Sequence, residues 1–326
     1  MSPASNHVLL TGGAGFIGSH ISEALLRRGV ELSVVDNLDN FYSPAAKRAN
    51  LEEVRKVGDF RFCELDLCDF DALRRTISKL RPDTIVHLAA RAGVRPSIEN
   101  PQLYERVNVA GTVNLLEVAR ELGVRRFIFG SSSSVYGITN RVPFAEDDPC
   151  LRPISPYAAT KLAGEFFCHT YAHLYGISTV CLRFFTVYGP RQRPDLAIRK
   201  FATLMEAGKP IPVFGDGSMG RDYTFVDDIV AGVLAAVDYQ FPPAGTPFDI
   251  FNLGNSHPVS LNELIATLER VTGRAAIRDQ RELQPGDVPI TWACTDKAAR
   301  MLGFQPATSL EQGLEKFVRW LRRAQA

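Results

Sequence analysis

Residues 155–161 read Ser-Pro-Tyr-Ala-Ala-Thr-Lys and set Tyr157 and Lys161 four positions apart. On a helix, positions i and i+4 share one face, so a phenol and an ammonium can serve one site. A free tyrosine has a pKa near 10, and using it as a base near pH 7 means favouring the anion by roughly three units, about 4 kcal/mol. One adjacent cation in a partly shielded site supplies about that much. Tyr-x-x-x-Lys also arises by chance, so the rest of the chain has to decide. A second group of hydroxyls stands upstream, in Ser131-Ser-Ser-Ser-Val-Tyr136. Serines after a strand can be turn chemistry. At the C-terminal edge of a parallel sheet they line the ligand crevice, and in an extended chain Ser132 and Ser134 point the same way.

The elements that must carry these groups alternate between strand and helix. An apolar run at 7–10 leads into Thr11-Gly-Gly-Ala-Gly-Phe-Ile-Gly18, then a helical pattern with Ile21, Ala24, Leu25 and Leu26 that stops at Gly29. In this strand, turn and helix, Gly12, Gly15 and Gly18 allow a tight turn, close approach of a pyrophosphate and packing of helix on strand. A second strand over 31–35 ends at Asp36, whose carboxylate accepts hydrogen bonds from ribose hydroxyls. The same charge repels a 2′-phosphate, so the expected cofactor is NAD rather than NADP. Further strands are expected over 60–65, ending at Asp66 and Leu67, over 84–90, and over 126–130. Helices are expected from Asp69 as cap to Leu80, over 101–122 with Gly123 as stop, and from Ser155 as cap, with Pro156 first, to Tyr175. Asn108, polar on an otherwise apolar helix, serves either its neighbouring backbone or the active-site strands. The fold class that follows is α/β, a Rossmann-type doubly wound parallel sheet.

Bulk properties narrow the partners. With 37 basic and 36 acidic residues the net charge is +1, which gives no electrostatic case for nucleic acid or an anionic membrane. No apolar run approaches the roughly 18 residues of a membrane helix, and the N-terminus lacks a signal pattern. A soluble, cytoplasmic protein is expected. Cysteines 63, 68, 150, 168, 181 and 294 form no Cys-x-x-Cys pair, so buried reduced thiols are expected, and no metal site.

Glycine turn, acidic strand end, serine cluster and Ser-Pro-Tyr-x-x-x-Lys, in this order, resemble the extended short-chain dehydrogenase/reductases over essentially the whole chain. The second half resembles their UDP-sugar 4-epimerases. Leu182-Arg-Phe-Phe-Thr-Val-Tyr-Gly-Pro-Arg-Gln-Arg-Pro-Asp195 is similar to the corresponding stretch of the UDP-glucuronate 4-epimerases. The resemblance implies that Tyr157 and Lys161 are catalytic, with Ser132 or Ser134 as the assisting hydroxyl. It implies that Gly12, Gly15, Phe16, Ile17, Gly18, Asp36, Asn37, Asn40, Asp66, Leu67, Leu88, Ala89, Ala90 and Asn108 serve NAD. Thr186 and Arg193 match residues that meet a C6 carboxylate, Arg221 one that clamps the substrate diphosphate, and Asp287 one near the uridine ribose. Many relatives carry an arginine where Gln284 stands, which puts that part of the phosphate clamp in doubt. Homodimers are common in the family.

After Arg183 the alternation loosens. Helices are expected over 195–208, 226–239, 260–273 and 309–326, and strands over 211–214 and 248–253. By resemblance, residues 1–183 form the NAD-binding domain, to which 226–256 return, and 184–225 with 257–326 form a smaller C-terminal α/β domain that grips the UDP-sugar. The implied reaction oxidises the sugar at C4 and reduces it from the other face, through a 4-keto intermediate. Arg191, two residues from Arg193, is a rival for the carboxylate, and a solvated Arg193 would fit an epimerase of neutral UDP-sugars such as UDP-glucose. Related decarboxylases and dehydratases carry a glutamate where Ser134 stands, which argues against UDP-glucuronate decarboxylation. A catalytically idle NAD sensor would fit a chain lacking Tyr157 or Lys161.

Overall fold

The computed structural model describes residues 7–138, 141–282 and 288–325. Seven strands form one parallel sheet: β1 (His7–Thr11), β2 (Glu31–Asp36), β3 (Arg61–Glu64), β4 (Thr84–His87), β5 (Arg126–Ser132), β6 (Ser178–Phe184) and β10 (Phe248–Leu253). Their order is β10-β6-β5-β4-β1-β2-β3, every pair parallel. Both faces are covered, as an all-parallel sheet requires. Leu10, Val34, Val86 and Ile128 belong to the core on one side, and Leu9, Val35, Ile85 and Phe127 to the core on the other. This period of two along each strand explains why the strands read as continuous apolar runs.

The helices are α1 (Phe16–Arg27), α2 (Pro44–Arg55), α3 (Phe70–Leu80), α4 (Val94–Glu99), α5 (Pro101–Glu105), α6 (Gly111–Leu122), α7 (Pro156–Tyr175), α8 (Ala197–Glu206), α9 (Val226–Asp238), α10 (Leu261–Thr272), α11 (Asp296–Leu302) and α12 (Leu310–Gln325). Asp69 caps α3 through Ala72 N–H at 3.0 Å, Ser155 caps α7 through Ala158 N–H at 3.1 Å, and Ser260 caps α10 through Glu263 N–H at 3.1 Å. Each cap satisfies a donor that the first helical turn leaves open. The helix expected over 101–122 is interrupted: α5 and α6 are joined by one π turn, Arg106–Ala110, which contains Asn108. The strand expected over 84–90 ends at His87, although Leu88 N–H still donates to the Thr11 carbonyl at 3.1 Å and Ala89 N–H to Thr11 Oγ1 at 3.2 Å. Helices α2, α4 and α11 have no counterpart among the sequence expectations.

Beyond β6, three strands form a second sheet in the order β11-β9-β7, with β7 (Thr186–Tyr188), β9 (Gly220–Phe225) and β11 (Pro258–Ser260). β8 (Ile211–Phe214) pairs with β12 (Arg278–Arg281). The chain returns to the first sheet at β10, which pairs with β6 from Phe248 opposite Thr179 to Leu253 opposite Phe184. Among the described residues no helix is long and apolar enough to cross a membrane.

Candidate active site

A cavity of about 500 Å³ opens where β1, β2, β4, β5 and β6 end. Its first wall is the glycine turn. Gly12 takes φ +73°, and a Cβ there would lie 2.7 Å from the Ala89 backbone nitrogen. A Cβ on Gly18 would overlap the Gly12 carbonyl, so α1 packs on the turn only because position 18 is bare. Gly15, Phe16, Ile17, Asp36, Asn37, Asp66, Leu67, Leu88, Ala89 and Ala90 also line the cavity. Asp36 accepts from Ala14 N–H at 3.2 Å and Leu38 N–H at 2.9 Å. Burial raises its pKa against the pull of Lys47 and these two donors. Asn37 donates to Asp66 at 3.3 Å. The Tyr42 hydroxyl is buried with no partner among the described residues and lies near the turn, 3.9 Å from where a Cβ on Gly15 would sit. An open cradle, a hydroxyl in need of an acceptor and an acidic strand end fit a dinucleotide without a 2′-phosphate.

Two residues expected at the cofactor do not line the cavity. Asn40 is exposed. Asn108 is buried in the π turn, where its amide accepts from Arg91 N–H at 2.7 Å and donates to the Arg91 carbonyl at 2.9 Å and to Thr160 Oγ1 at 3.0 Å. It ties the segment after β4 to α7, because a side chain placed there meets backbone before it reaches the cavity.

The second wall carries the acid–base groups. Ser131, Ser132, Ser133 and Ser134, Tyr157 and Lys161 all line the cavity. The chain does not stay extended through the serines: β5 ends at Ser132, and Ser133–Tyr136 form a 3₁₀ turn. That turn brings the hydroxyls together, Ser132 Oγ donating to Ser134 Oγ at 3.2 Å. Burial raises the Tyr157 pKa, while a hydrogen bond with Ser132 and the charge of Arg193 pull it down. Lys161 Nζ donates to the Gly130 carbonyl at 2.7 Å and lies 5.0 Å from the centre of the Phe129 ring. Burial lowers its pKa to about 8. The charge of Arg193 thus favours the Tyr157 phenolate, while one N–H of the Lys161 ammonium is taken by the Gly130 carbonyl. Removing the Ser132 hydroxyl removes a bond that favours the anion, so the pKa of Tyr157 rises. In Ser132→Ala the acid limb of the kcat/KM profile should move to higher pH; an unmoved limb would show that this bond does not tune the phenol.

The third wall comes from the chain beyond β6. Thr186 and Arg193 line the cavity, whereas Arg191 does not. Arg191, at φ +66°, pairs with Glu23 at 2.7 Å and donates to His20 Nδ1 at 2.9 Å, while His20 Nε2 donates to the Pro190 carbonyl at 2.9 Å. His20 stays neutral, its pKa lowered to about 4 chiefly by burial. Arg193 donates through Nε and Nη2 to Asp195 at 3.0 and 2.7 Å. Arg221 sits on β9 with Nη1 on the Gly220 carbonyl at 2.8 Å and does not line this cavity. Gln284 and Asp287 lie outside the described residues.

The sequence model of the NAD dependent epimerase/dehydratase family matches residues 8–254. The chain belongs to that family. A UDP-glucuronate 4-epimerase of Thermodesulfobacterium geofontis is 42% identical over 315 residues, covering 96% of this chain and 95% of that protein. The UDP-glucuronic acid 4-epimerase of Bacillus cereus in complex with UDP-glucuronic acid and NAD matches with TM-score 0.90 and 35% identity, covering 98% of this chain and 99% of that one. The UDP-glucose 4-epimerase of Thermotoga maritima with UDP-glucose matches with TM-score 0.90 and 34% identity, covering 98% and 100%.

Sequence reasoning about this epimerase/dehydratase passed over Asp39, Phe41, Tyr42, Lys47, Arg91 and Leu196, which also line the cavity. One signal was present for Arg91. It directly follows Ala90, the end of the strand expected over 84–90, and ligands of open α/β sheets bind beyond such ends.

Proposed function

We propose that the protein interconverts UDP-glucuronate and UDP-galacturonate by epimerisation at C4, an isomerase reaction with NAD as cofactor. The observation that carries the choice of sugar is Arg193, which faces the cavity with Thr186 while Arg191 is held away on α1. Arg193 and Thr186 take the C6 carboxylate, as a charge-assisted bond supported by a hydroxyl. The names of the relatives that act on UDP-glucuronate support the same reading.

Gly12, Gly15, Gly18, Asp36 and their neighbours would hold NAD, which would supply hydride-transfer chemistry at C4. Tyr157 removes the proton of the 4-hydroxyl, and Ser132 and Ser134 polarise that oxygen. Lys161 supports the phenolate and the ribose side of the cofactor. Arg221 and Asp287 hold the nucleotide while the 4-keto sugar turns over, so that remote binding energy retains an intermediate whose reacting end is loose. Oxidation at C4 makes a β-keto acid prone to lose CO₂. An ion-paired, polar setting for the carboxylate slows that loss, and desolvation hastens it. We assign residues 1–183 and 226–256 to NAD and 184–225 and 257–326 to the UDP-sugar. A homodimer is favoured by the apolar side chains that α7 leaves open, Phe166 at 60% and Leu174 at 60% exposure. Six free thiols favour a reducing, cytoplasmic setting.

The second reading, a UDP-glucose 4-epimerase, draws on the Thermotoga maritima structure. Purified protein incubated with UDP-glucuronate and followed by NMR should yield UDP-galacturonate. Conversion of UDP-glucose with no UDP-galacturonate formed would reverse the choice, and release of CO₂ with a UDP-pentose would indicate decarboxylation.

A further inference from the structure

Two guanidinium groups sit over the ring of Phe41, in the loop after β2. The Arg193 guanidinium carbon lies 5.1 Å from the ring centre and that of Arg91 lies 5.3 Å from it. The three side chains reach the cavity from three separate loops. The negative face of an aromatic ring attracts a cation, and each arginine also has its own carboxylate. Arg91 pairs with Asp39 at 2.9 Å, and Asp39 accepts the Phe41 N–H at 2.7 Å. Asn108 grips the backbone of Arg91 on both its N–H and its carbonyl. The ring of Phe41 is thereby fixed through Arg91, Asp39 and Asn108.

Asp195 occupies Nε and Nη2 of Arg193, which leaves Nη1 without a partner among the described residues. The carboxylate fixes one edge of the guanidinium. The ring limits how the group can swing about that edge, so the direction of Nη1 depends on both. We propose that Phe41 is a specificity-determining residue for the uronate, a positioning residue that holds the Arg193 guanidinium so that Nη1 meets the C6 carboxylate. This rests on the reading of Arg193 given above. A misdirected guanidinium would leave a partly desolvated carboxylate unpaired, whereas a substrate without that carboxylate would not register the change.

The test uses holoenzyme carrying Phe41→Leu, which keeps apolar bulk and removes the ring, and Phe41→Tyr, which keeps the ring. For Phe41→Leu, KM for UDP-glucuronate should rise about tenfold. Its kcat should stay within about threefold, its Kd for UDP alone within about twofold and its bound NAD unchanged, and Phe41→Tyr should behave as wild type. Three results overturn the proposal: an unchanged KM in Phe41→Leu, an equal rise in the Kd of UDP, or loss of NAD. If Phe41→Leu does not fold, Phe41→Met takes its place under the same criteria. Wild-type protein that does not turn over UDP-glucuronate would sink the functional reading. Wild-type turnover with an unaltered KM in the leucine variant would sink the role of Phe41 alone.

Discussion

Tyr157→Phe should retain bound NAD and lower kcat by about a thousandfold, the scale of a lost general base. The phenol lines the cavity beside Ser132 and within the field of Arg193, and the variant keeps the ring while removing the only group on it that can take a proton. The ring also packs edge-on against Tyr104, with centroids 6.3 Å apart, a contact that phenylalanine preserves. Folding and cofactor content should therefore match wild type. The check is a paired measurement, NAD released on denaturation and turnover of UDP-glucuronate by NMR. Near wild-type kcat would exclude the tyrosine as base, and loss of NAD would make the variant a cofactor-site defect instead.

Arg183→Met should lower stability by about 3–5 kcal/mol, the usual result of removing one partner of a buried ion pair. For a chain of this size the melting temperature should fall by about 4–7 °C. Arg183 on β6 donates to both oxygens of Glu165 on α7, at 2.9 and 2.8 Å, and both side chains are only 3% exposed. Burial alone would lower the arginine's pKa, but the pairing raises it. Ser131 Oγ donates to the same carboxylate at 2.5 Å, and the guanidinium lies 4.8 Å from the centre of the Tyr136 ring. The pair thus joins the helix of Tyr157 to β6 and, through Ser131, to β5. Adding Glu165→Leu to Arg183→Met should recover part of the loss, because no buried charge is then left alone. A melting temperature within a degree of wild type in the single variant would show the pair to be dispensable.

Much of the site was legible because its chemistry is local. The glycine turn is written in residues that only a bare backbone position tolerates. Asp36 announces itself by ending an apolar strand, and Tyr157 and Lys161 by helical spacing after a Ser-Pro start. The caps of α3, α7 and α10 and the glycine stops of α7 and α10 followed from single residues next to a periodic pattern. What went unseen was non-local or weakly patterned, as in α2, a largely polar helix without a side-chain cap. The π turn around Asn108 leaves no mark in an apolar helical pattern, and α4 is too short to show a period.

The sequence by itself determined the parallel α/β sheet, the dinucleotide cradle and the tyrosine on the helix, since periodicity, φ preference and i, i+4 spacing act within a few residues. Only the tertiary structure decided where the arginines and the lysine point. Arg191 is drawn to Glu23 and His20 on a helix far back in the chain, which leaves Arg193 to the cavity. Lys161 bonds the Gly130 carbonyl, and Phe41 reaches both Arg91 and Arg193. The direction of a long charged side chain depends on which distant carboxylates, carbonyls and rings the fold brings within reach, and no local pattern encodes those.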